Sequence, residues 1–409
     1  MSNGSKSQLT LTASVPPGRR TVLLATVVNA IFVLTIQMLG LLTLVPASFG
    51  AFSLQYLLFA LANSVCLSVI CEPWLRTDLH QSHRSTWQDY SSVLLYSSLA
   101  AGLLTLIVSL LVPDLRILAA SGSIAVLAST FRAGSRYYLA RENNWSRIVV
   151  ADTAGLVVTL ITWFGSHWLG VPSLLALSMA WAAGSVAAAL LSPRPSLQGP
   201  KSNTRWVSTH RRHLIPLLRD SALMDLGAIG TPLAIAPMLG IAGFGVYRAV
   251  SNVSAPVRLI LDPLRPTLAG APLTTHGSLR RVWATLVVSI GFGLAAYLGL
   301  MVVQLAHLEL GSLTSVVAYA VPTALFVAAS FLGHYYYVIA RAHSYGHTLL
   351  IGRVAQTVSA ISFPLVGAYC WGLEGAIWAY SVGTACSALT WFSLVIHSAI
   401  QQKTPPTRG

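Results

Sequence analysis

Apolar stretches long enough to cross a membrane recur along almost the whole chain, and they constrain its fold more than any other feature. A membrane-spanning helix needs about 20 mostly apolar residues, and about twelve stretches meet that length. They lie at residues 21–44, 48–71, 89–112, 116–135, 147–168, 172–192, 216–238, 242–262, 281–304, 312–337, 347–370 and 373–398. Only 9% of the residues are charged, whereas soluble domains have about a quarter. The sequence therefore predicts an all-α polytopic membrane protein.

Two short sequence phrases occur once in each half of the chain, in the same order. Residues 72–76 (EPWLR) match residues 262–265 (DPLR), and residues 137–141 (YYLAR) match residues 336–341 (YYVIAR). The offsets are about 190 and 200 residues, and a duplicated apolar chain is typical of many transporter folds. We therefore predict two six-helix lobes. The N-lobe is expected at 21–192 and the C-lobe at 216–398, with a connector at 193–215 and tails at 1–20 and 399–409.

Lysine and arginine concentrate in alternate connections between the stretches. This bias predicts that both termini are cytoplasmic. The loops on the other side carry almost no basic residue apart from Arg116. The net charge of +14 is therefore interpreted as a topology signal and not as a nucleic-acid surface. Both copies of the repeat fall on the cytoplasmic side, which predicts parallel halves related by an axis along the membrane normal. The connector, rich in Pro, Ser, Arg and His, is predicted to be flexible.

The seventh stretch is unusually rich in residues that disturb a helix. It contains Gly227, Gly230, Pro232 and Pro237, which predicts a kink or a break. Irregular backbone at membrane depth is tolerated only where it is buried in protein or lines a water-filled cavity. Both a packing kink and a moving part are consistent with this pattern.

Charged residues inside membrane-spanning stretches are functional candidates, because each costs at least about 2.5 kcal/mol on insertion scales. Asp225 and Arg258 fall at similar depths on the seventh and eighth stretches. We interpret Asp225 either as a carboxylate that couples transport to a cation or as a structural partner of Arg258. Arg248 has no acid nearby in sequence. It is expected either to snorkel to the headgroups or to face an interior cavity.

The remaining acids are interpreted as structural. Glu72 and Asp262 each precede a proline at a predicted helix end, and we expect both to be helix corners that hold nearby arginines. Asp152 is expected close enough to the cytoplasmic surface to be solvated. No Walker loop, GxSxG motif or HExxH motif is present, so the sequence predicts no catalytic residue, no metal site and no cofactor. A membrane-embedded enzyme would need a large outer loop with catalytic groups, and the longest loop is predicted to be cytoplasmic.

Several segments of the C-terminal half resemble a known family. They are residues 243–252 (GFGVYRAVSN), 261–266 (LDPLRP), 336–341 (YYVIAR) and 372–376 (GLEGA). Together with twelve spans and a bent seventh helix, they resemble the multidrug/oligosaccharidyl-lipid/polysaccharide (MOP) exporter superfamily. The C-terminal pattern is similar to its polysaccharide branch, the O-antigen-type (Wzx-like) flippases.

The resemblance implies two lobes around a central cavity that opens alternately to each side of the bacterial plasma membrane. It implies a flippase that moves undecaprenyl-diphosphate-linked oligosaccharide from the inner to the outer leaflet, with Arg248 and Arg258 matching the cationic cavity. Expected partners are this substrate, membrane lipid, and the glycosyltransferases and polymerase of the same pathway. The first helix offers only Asn29 and Gln37 as interior polar groups, which disfavours proton coupling through the N-lobe. A cation-coupled multidrug exporter and a lipid II flippase remain as alternatives.

Overall fold

The computed structural model describes residues 19–80, 86–258, 260–261, 268, 272–344 and 346–403. These residues are almost entirely helical and contain no strand. The helices are α1 (Arg19–Thr43), α2 (Pro46–Cys66), α3 (Glu72–His80), α4 (Trp87–Leu111), α5 (Ala119–Arg141), α6 (Trp145–Trp168), α7 (Ser173–Leu190), α8 (Pro200–Asp225), α9 (Thr231–Val253), α10 (Leu273–His276), α11 (Leu279–Leu305), α12 (Gly311–Val316), α13 (Ala320–His343) and α14 (Gly346–Lys403).

Ten helical stretches of the described chain are long and apolar enough to cross a membrane. Two of them, Asn203–Arg258 and His347–Gln401, have 56 and 55 residues, which is too long for one crossing. Non-helical backbone breaks the first at Gly240 (φ +68°) and the second at Trp371 and Gly372 (φ +60°). Glycine adopts this left-handed backbone without steric cost. Each break divides one long stretch into two helices, so the ten stretches give twelve candidate membrane-spanning helices. The predicted fold class of about twelve transmembrane helices in two lobes is therefore confirmed.

The two halves use the same packing order. In the first half α4 packs on α5 and α5 packs on α7, while in the second half α11 packs on α13 and α13 packs on α14. Arg141 ends α5, and Arg341 lies in the last turn of α13. The repeated phrase therefore occupies the same end of two equivalent helices. We call this end of the bundle, where α1 begins, the basic end, and the other end the opposite end.

The lobes meet closely at the opposite end. Gly50 of α2 faces Gly245 of α9, and a Cβ atom on either glycine would collide with a backbone carbonyl oxygen of the partner helix. Nearby, the Ser312 hydroxyl donates a hydrogen bond of 2.7 Å to the carbonyl oxygen of Leu44. The protein is thus in a conformation that is closed at the opposite end.

Two π-helical turns interrupt the helices, and each directly precedes a residue followed by proline. One turn spans Leu67–Cys71 before Pro73, and the other spans Leu226–Gly230 before Pro232. Proline has no N–H to bond the carbonyl four residues earlier, so the backbone widens locally to the five-residue pattern of a π turn. The irregularity expected in the seventh stretch is therefore located at Leu226–Gly230.

The connector at 193–215 differs from the prediction. It is helical from Pro200, where α8 begins, and the Trp206 side chain is 4% exposed. Trp206 packs in a cluster with Trp74, Tyr90 and Phe131 of the first lobe. Burial of this large side chain holds the segment against the lobe, so the prediction of a flexible connector is wrong over residues 200–215.

Candidate functional site

Arg248 lies on α9 about 12 Å beyond the break at Gly240, which places it near the middle of the bundle. Its Nε atom is buried and has no hydrogen-bond partner. The hydroxyl groups of Tyr56, Tyr247 and Tyr380 lie within electrostatic range of the guanidinium. No acid of the described chain forms an ion pair with it. A guanidinium that snorkelled to the headgroups would expose Nε to water, so the geometry favours the alternative in which Arg248 faces the interior.

Aromatic rings form the C-lobe wall beside Arg248. Tyr247 is 1% exposed, and its ring centre lies 5.1 Å from that of Tyr380. Tyr380 in turn stacks on Phe326 at 4.6 Å. Rings of this size exclude water, and a low local dielectric strengthens every charge interaction of the guanidinium.

A second buried arginine lies in the first lobe. Arg132 of α5 donates from Nε at 2.9 Å and from Nη2 at 2.7 Å to Oδ1 of Asp152 on α6. The same Nη2 donates to Oδ1 of Asn29 on α1 at 2.7 Å. The guanidinium carbon is 4.4 Å from the ring centre of Phe32. Arg136, one turn further along α5, lies 3.4 Å from the other carboxylate oxygen of Asp152.

Asp152 is buried, whereas the sequence predicts a solvated carboxylate. Asp152 is 1% exposed and is not solvated, although it lies only about 10 Å along α6 from its start. Two guanidinium groups neutralise it, which leaves one positive charge in excess. The signal was present in the sequence, because Arg132 and Arg136 are four residues apart on an otherwise apolar helix and so share one face.

Tyr56 of α2 connects the two arginines. Its hydroxyl lies within electrostatic range of both Arg132 and Arg248, and the Gln37 side chain lies near it. A small cavity lined by Tyr56 and Arg132 opens at this point. Of the two polar residues of α1, Asn29 binds Arg132 and Gln37 lies near Tyr56. The polar groups of both lobes converge near Tyr56.

Asp225 does not pair with Arg258. Asp225 is half-buried at the end of α8, where the hydroxyls of Ser64 and Ser221 lie near its carboxylate. These two hydroxyl oxygens are 2.8 Å apart. Arg258 is exposed, and within the described ranges it forms no ion pair. The structural pairing is therefore not observed, and a coupling role for Asp225 stays a prediction.

The two predicted helix corners have different outcomes. Glu72 does not end a helix, because it begins α3 directly after the π turn and the helix continues to His80. Its carboxylate acts electrostatically on Tyr137 of its own lobe and on Arg341 of the other lobe. Asp262 lies outside the described residues, so its role stays a prediction.

Metal ligands are not gathered anywhere in the part of the chain that the structure describes. No group of three or more His, Cys, Asp or Glu side chains there has a geometry that could hold a metal ion. Cys66 and Cys71, next to the first π turn, are buried free thiols.

Comparison with solved structures gives three informative similarities. The inward-facing conformation of a multidrug resistance MATE family transporter of the MOP superfamily has a TM-score of 0.64 at 14% identity, covering 94% of this chain and 96% of that chain. Lipid II flippase MurJ in an inward closed conformation has a TM-score of 0.63 at 10% identity, covering 93% and 90%. The outward-facing conformation of a MATE transporter has a TM-score of 0.55 at 13% identity, covering 94% and 95%. No protein-family model and no curated protein matches the sequence.

These similarities concern the fold alone, because the identities are low. Both inward structures give higher TM-scores than the outward one, which agrees with the closed contact of Gly50 and Gly245 at the opposite end. The long apolar helices agree with a multi-pass membrane protein. The chain therefore has the two-lobe helical fold that transporters of the MOP superfamily adopt.

Proposed function

We propose that this protein is a transporter that moves a lipid-linked oligosaccharide with a diphosphate group between the leaflets of the bacterial plasma membrane, for synthesis of a surface polysaccharide. The fold shared with a MATE transporter and with lipid II flippase MurJ supports a transport function. The single observation that favours an anionic substrate is the environment of Arg248, whose buried Nε has no partner. A drug exporter for cations would need acidic groups at this position.

The charge balance between the lobes supports a diphosphate. A buried charge is costly unless it is paired, and a guanidinium binds phosphate oxygens with bidentate geometry. Arg258 acts on Arg248 as a like charge, and an anion between them would relieve that repulsion. Arg132 adds the excess positive charge of the first lobe. A diphosphate near Tyr56 would meet arginines from both lobes, while its lipid tail stays in the bilayer.

Replacing Arg248 with alanine is expected to slow flipping of the lipid-linked substrate by about 10- to 100-fold, because a hydrogen bond to a charged group contributes roughly 1.5–3 kcal/mol. The purified protein would be reconstituted in liposomes with a fluorescent undecaprenyl-diphosphate-linked oligosaccharide. Dithionite quenching from outside then measures the rate at which the probe changes leaflet. Arg248→Lys should retain part of the activity, because it keeps the charge but not the bidentate geometry.

Arg280→Ala is the matched control for this experiment, since Arg280 is an exposed arginine at the start of α11. It should flip the probe at the wild-type rate. Wild-type flipping by correctly inserted Arg248→Ala protein would refute the anionic-substrate proposal. Equal flipping of a zwitterionic fluorescent phosphatidylcholine by the wild type would refute selectivity for the diphosphate.

Asp225→Asn tests whether transport is coupled to a cation. Asn keeps the size of the side chain and its polar neighbours Ser64 and Ser221 but carries no charge that a proton or Na⁺ could neutralise. We expect the variant to lose any dependence of the flipping rate on an imposed pH or Na⁺ gradient. Asp220→Asn, which removes an exposed acid of the same helix, should keep it. An unchanged gradient dependence in Asp225→Asn would exclude the coupling role.

A further inference from the structure

The helix α8 is amphipathic and has one face buried against the first lobe. Trp206 and His210 are 4% and 1% exposed, and their rings stack at 4.1 Å. Leu217 and Ser221 continue the buried face toward the end of the helix. This face anchors α8 to the lobe, which leaves the other side of the helix without protein cover.

Two hydrogen bonds show how α8 is oriented in the bundle. The Ser92 hydroxyl bonds Oδ1 of Asn203 at 3.3 Å, and Ser64 bonds Ser221 at 2.8 Å. Measured from the opposite end at 1.5 Å per residue, Ser92 lies about 28 Å along α4 and Ser64 lies about 27 Å along α2. Asn203 and Ser221 are thus at nearly the same depth, although they are about 27 Å apart along α8. The helix between them runs along the bilayer plane, close to the boundary of an apolar layer about 30 Å thick.

The uncovered side of α8 carries a stripe of arginines. Arg205, Arg212 and Arg219 recur every seven residues, so they lie on one side of the helix, roughly opposite Trp206. All three are exposed, and none forms an ion pair with a described residue. Arg211 adds a fourth exposed cation beside the stripe. We call Arg205, Arg212 and Arg219 the arginine stripe.

Exposed apolar side chains flank the arginine stripe. Val207, Ile215 and Leu218 are 44%, 37% and 36% exposed. An amphipathic helix in the plane of the interface places such side chains at the acyl boundary and its cations among the headgroups. Each guanidinium there can bind a phosphate group with two hydrogen bonds. The chemistry of this side therefore matches an anionic phospholipid surface.

We propose that α8 lies at the bilayer surface from Asn203 to Ser221, and that its arginine stripe binds the phosphate groups of anionic phospholipids in the leaflet at the basic end. This contact holds the connection between the two lobes at the membrane surface. This lipid contact does not depend on which substrate the central arginines bind. The lipid-binding proposal and the proposed function can therefore fail independently of each other.

The test measures lipid binding to the full-length protein in detergent by native mass spectrometry, with phosphatidylglycerol and phosphatidylcholine as probes. The wild type should bind phosphatidylglycerol more tightly. Each arginine near an anionic surface contributes about fivefold in affinity. Arg205→Gln with Arg212→Gln should therefore weaken phosphatidylglycerol binding on the order of 25-fold, and each single variant about fivefold. Lysine at both positions should keep most of the affinity.

Arg280→Gln with Arg281→Gln is the matched control, because it removes two exposed arginines of α11 at the same end. The proposal predicts wild-type affinity for this control at the tightest site. If both double variants weaken phosphatidylglycerol binding equally, the lipid responds to the overall positive charge of this end and not to the arginine stripe. That result would overturn the proposal. Equal binding of both lipids by the wild type, or displacement of phosphatidylglycerol by the same concentration of inorganic phosphate, would also overturn it.

Discussion

Asp152→Ala is expected to lower the free energy of unfolding by about 3–5 kcal/mol, because it leaves buried guanidinium groups without their counter-charge. Arg132 is nearly enclosed, with 10% of its side chain exposed, and it cannot turn to water without losing its contacts with Asn29 and Phe32. Arg136 is 27% exposed, so it contributes less to the loss. The measurement is reversible unfolding in mixed micelles with increasing sodium dodecyl sulfate.

Two variants make this expectation specific. Asp114→Ala removes an exposed acid at the opposite end and should change stability by less than about 0.5 kcal/mol. Arg132→Met together with Asp152→Leu replaces both partners with apolar groups and should be far less harmful than Asp152→Ala alone. If Asp152→Ala is as stable as the wild type, the buried ion cluster does not stabilise the first lobe.

Gly245→Ala is expected to shift the protein away from the conformation that is closed at the opposite end. The added Cβ atom would collide with the backbone carbonyl oxygen of Pro46, and the backbone can relieve that contact only by separating α2 from α9. Overpacking of this kind costs about 1–3 kcal/mol, which changes the ratio of two conformations by roughly 5- to 150-fold. In contrast, a conformation in which α2 and α9 lie apart would lack this contact and should carry no penalty.

Spin labels at Val45 and Met238 would report this shift as a distance distribution, because both side chains are exposed at the opposite end, one on each lobe. The four free cysteines would first be replaced by serine. Gly245→Ala should add a population at longer distance. Gly299→Ala is the matched control, since a Cβ atom there meets no atom within 4 Å. An unchanged distance distribution in Gly245→Ala would show that the close glycine contact does not control opening.

Much of the fold could be predicted from residue types along the chain. The number of membrane-spanning helices follows from the length of each apolar stretch, because a bilayer of fixed thickness requires about 20 apolar residues per helix. The irregular seventh helix follows from Pro232, which removes a backbone donor wherever the chain places it. The break at Gly372 lies between two predicted stretches, 347–370 and 373–398, where a glycine can adopt the left-handed backbone. These are local effects, so they do not depend on neighbouring helices.

The candidate site was predictable only in part. Arg248 is conspicuous in the sequence because no acid lies near it. In the structure, no acid of the described chain forms an ion pair with it. The sequence predicts a solvated Asp152, since loop-proximal charges are usually solvated, whereas in the structure Asp152 pairs with Arg132. Their pairing depends on how closely α5 and α6 approach and how each helix is rotated about its axis. Neither quantity is encoded in the spacing of apolar residues.

The connector illustrates the same limit. Its Pro, Ser, Arg and His content is typical of a mobile loop. In the structure, however, Trp206 packs in an aromatic pocket formed by Trp74, Tyr90 and Phe131. The pocket exists only after α3, α4 and α5 have packed together. Burial of one large ring then outweighs the local preference for a loop, and the free side of the resulting helix becomes the arginine stripe.

The sequence by itself determined the membrane character, the number of membrane-spanning helices and the duplication. It also showed that Arg248 has no acid nearby in sequence. Each of these features depends only on residue type and order along the chain. The tertiary structure alone decided which charges meet. It joined Arg132 to Asp152, left Asp225 and Arg258 without an ion pair between them, and brought both Arg132 and Arg248 within electrostatic range of Tyr56. The physical reason is that electrostatic pairing falls off within a few ångströms, so it depends on the rotation and approach of helices that are distant in sequence.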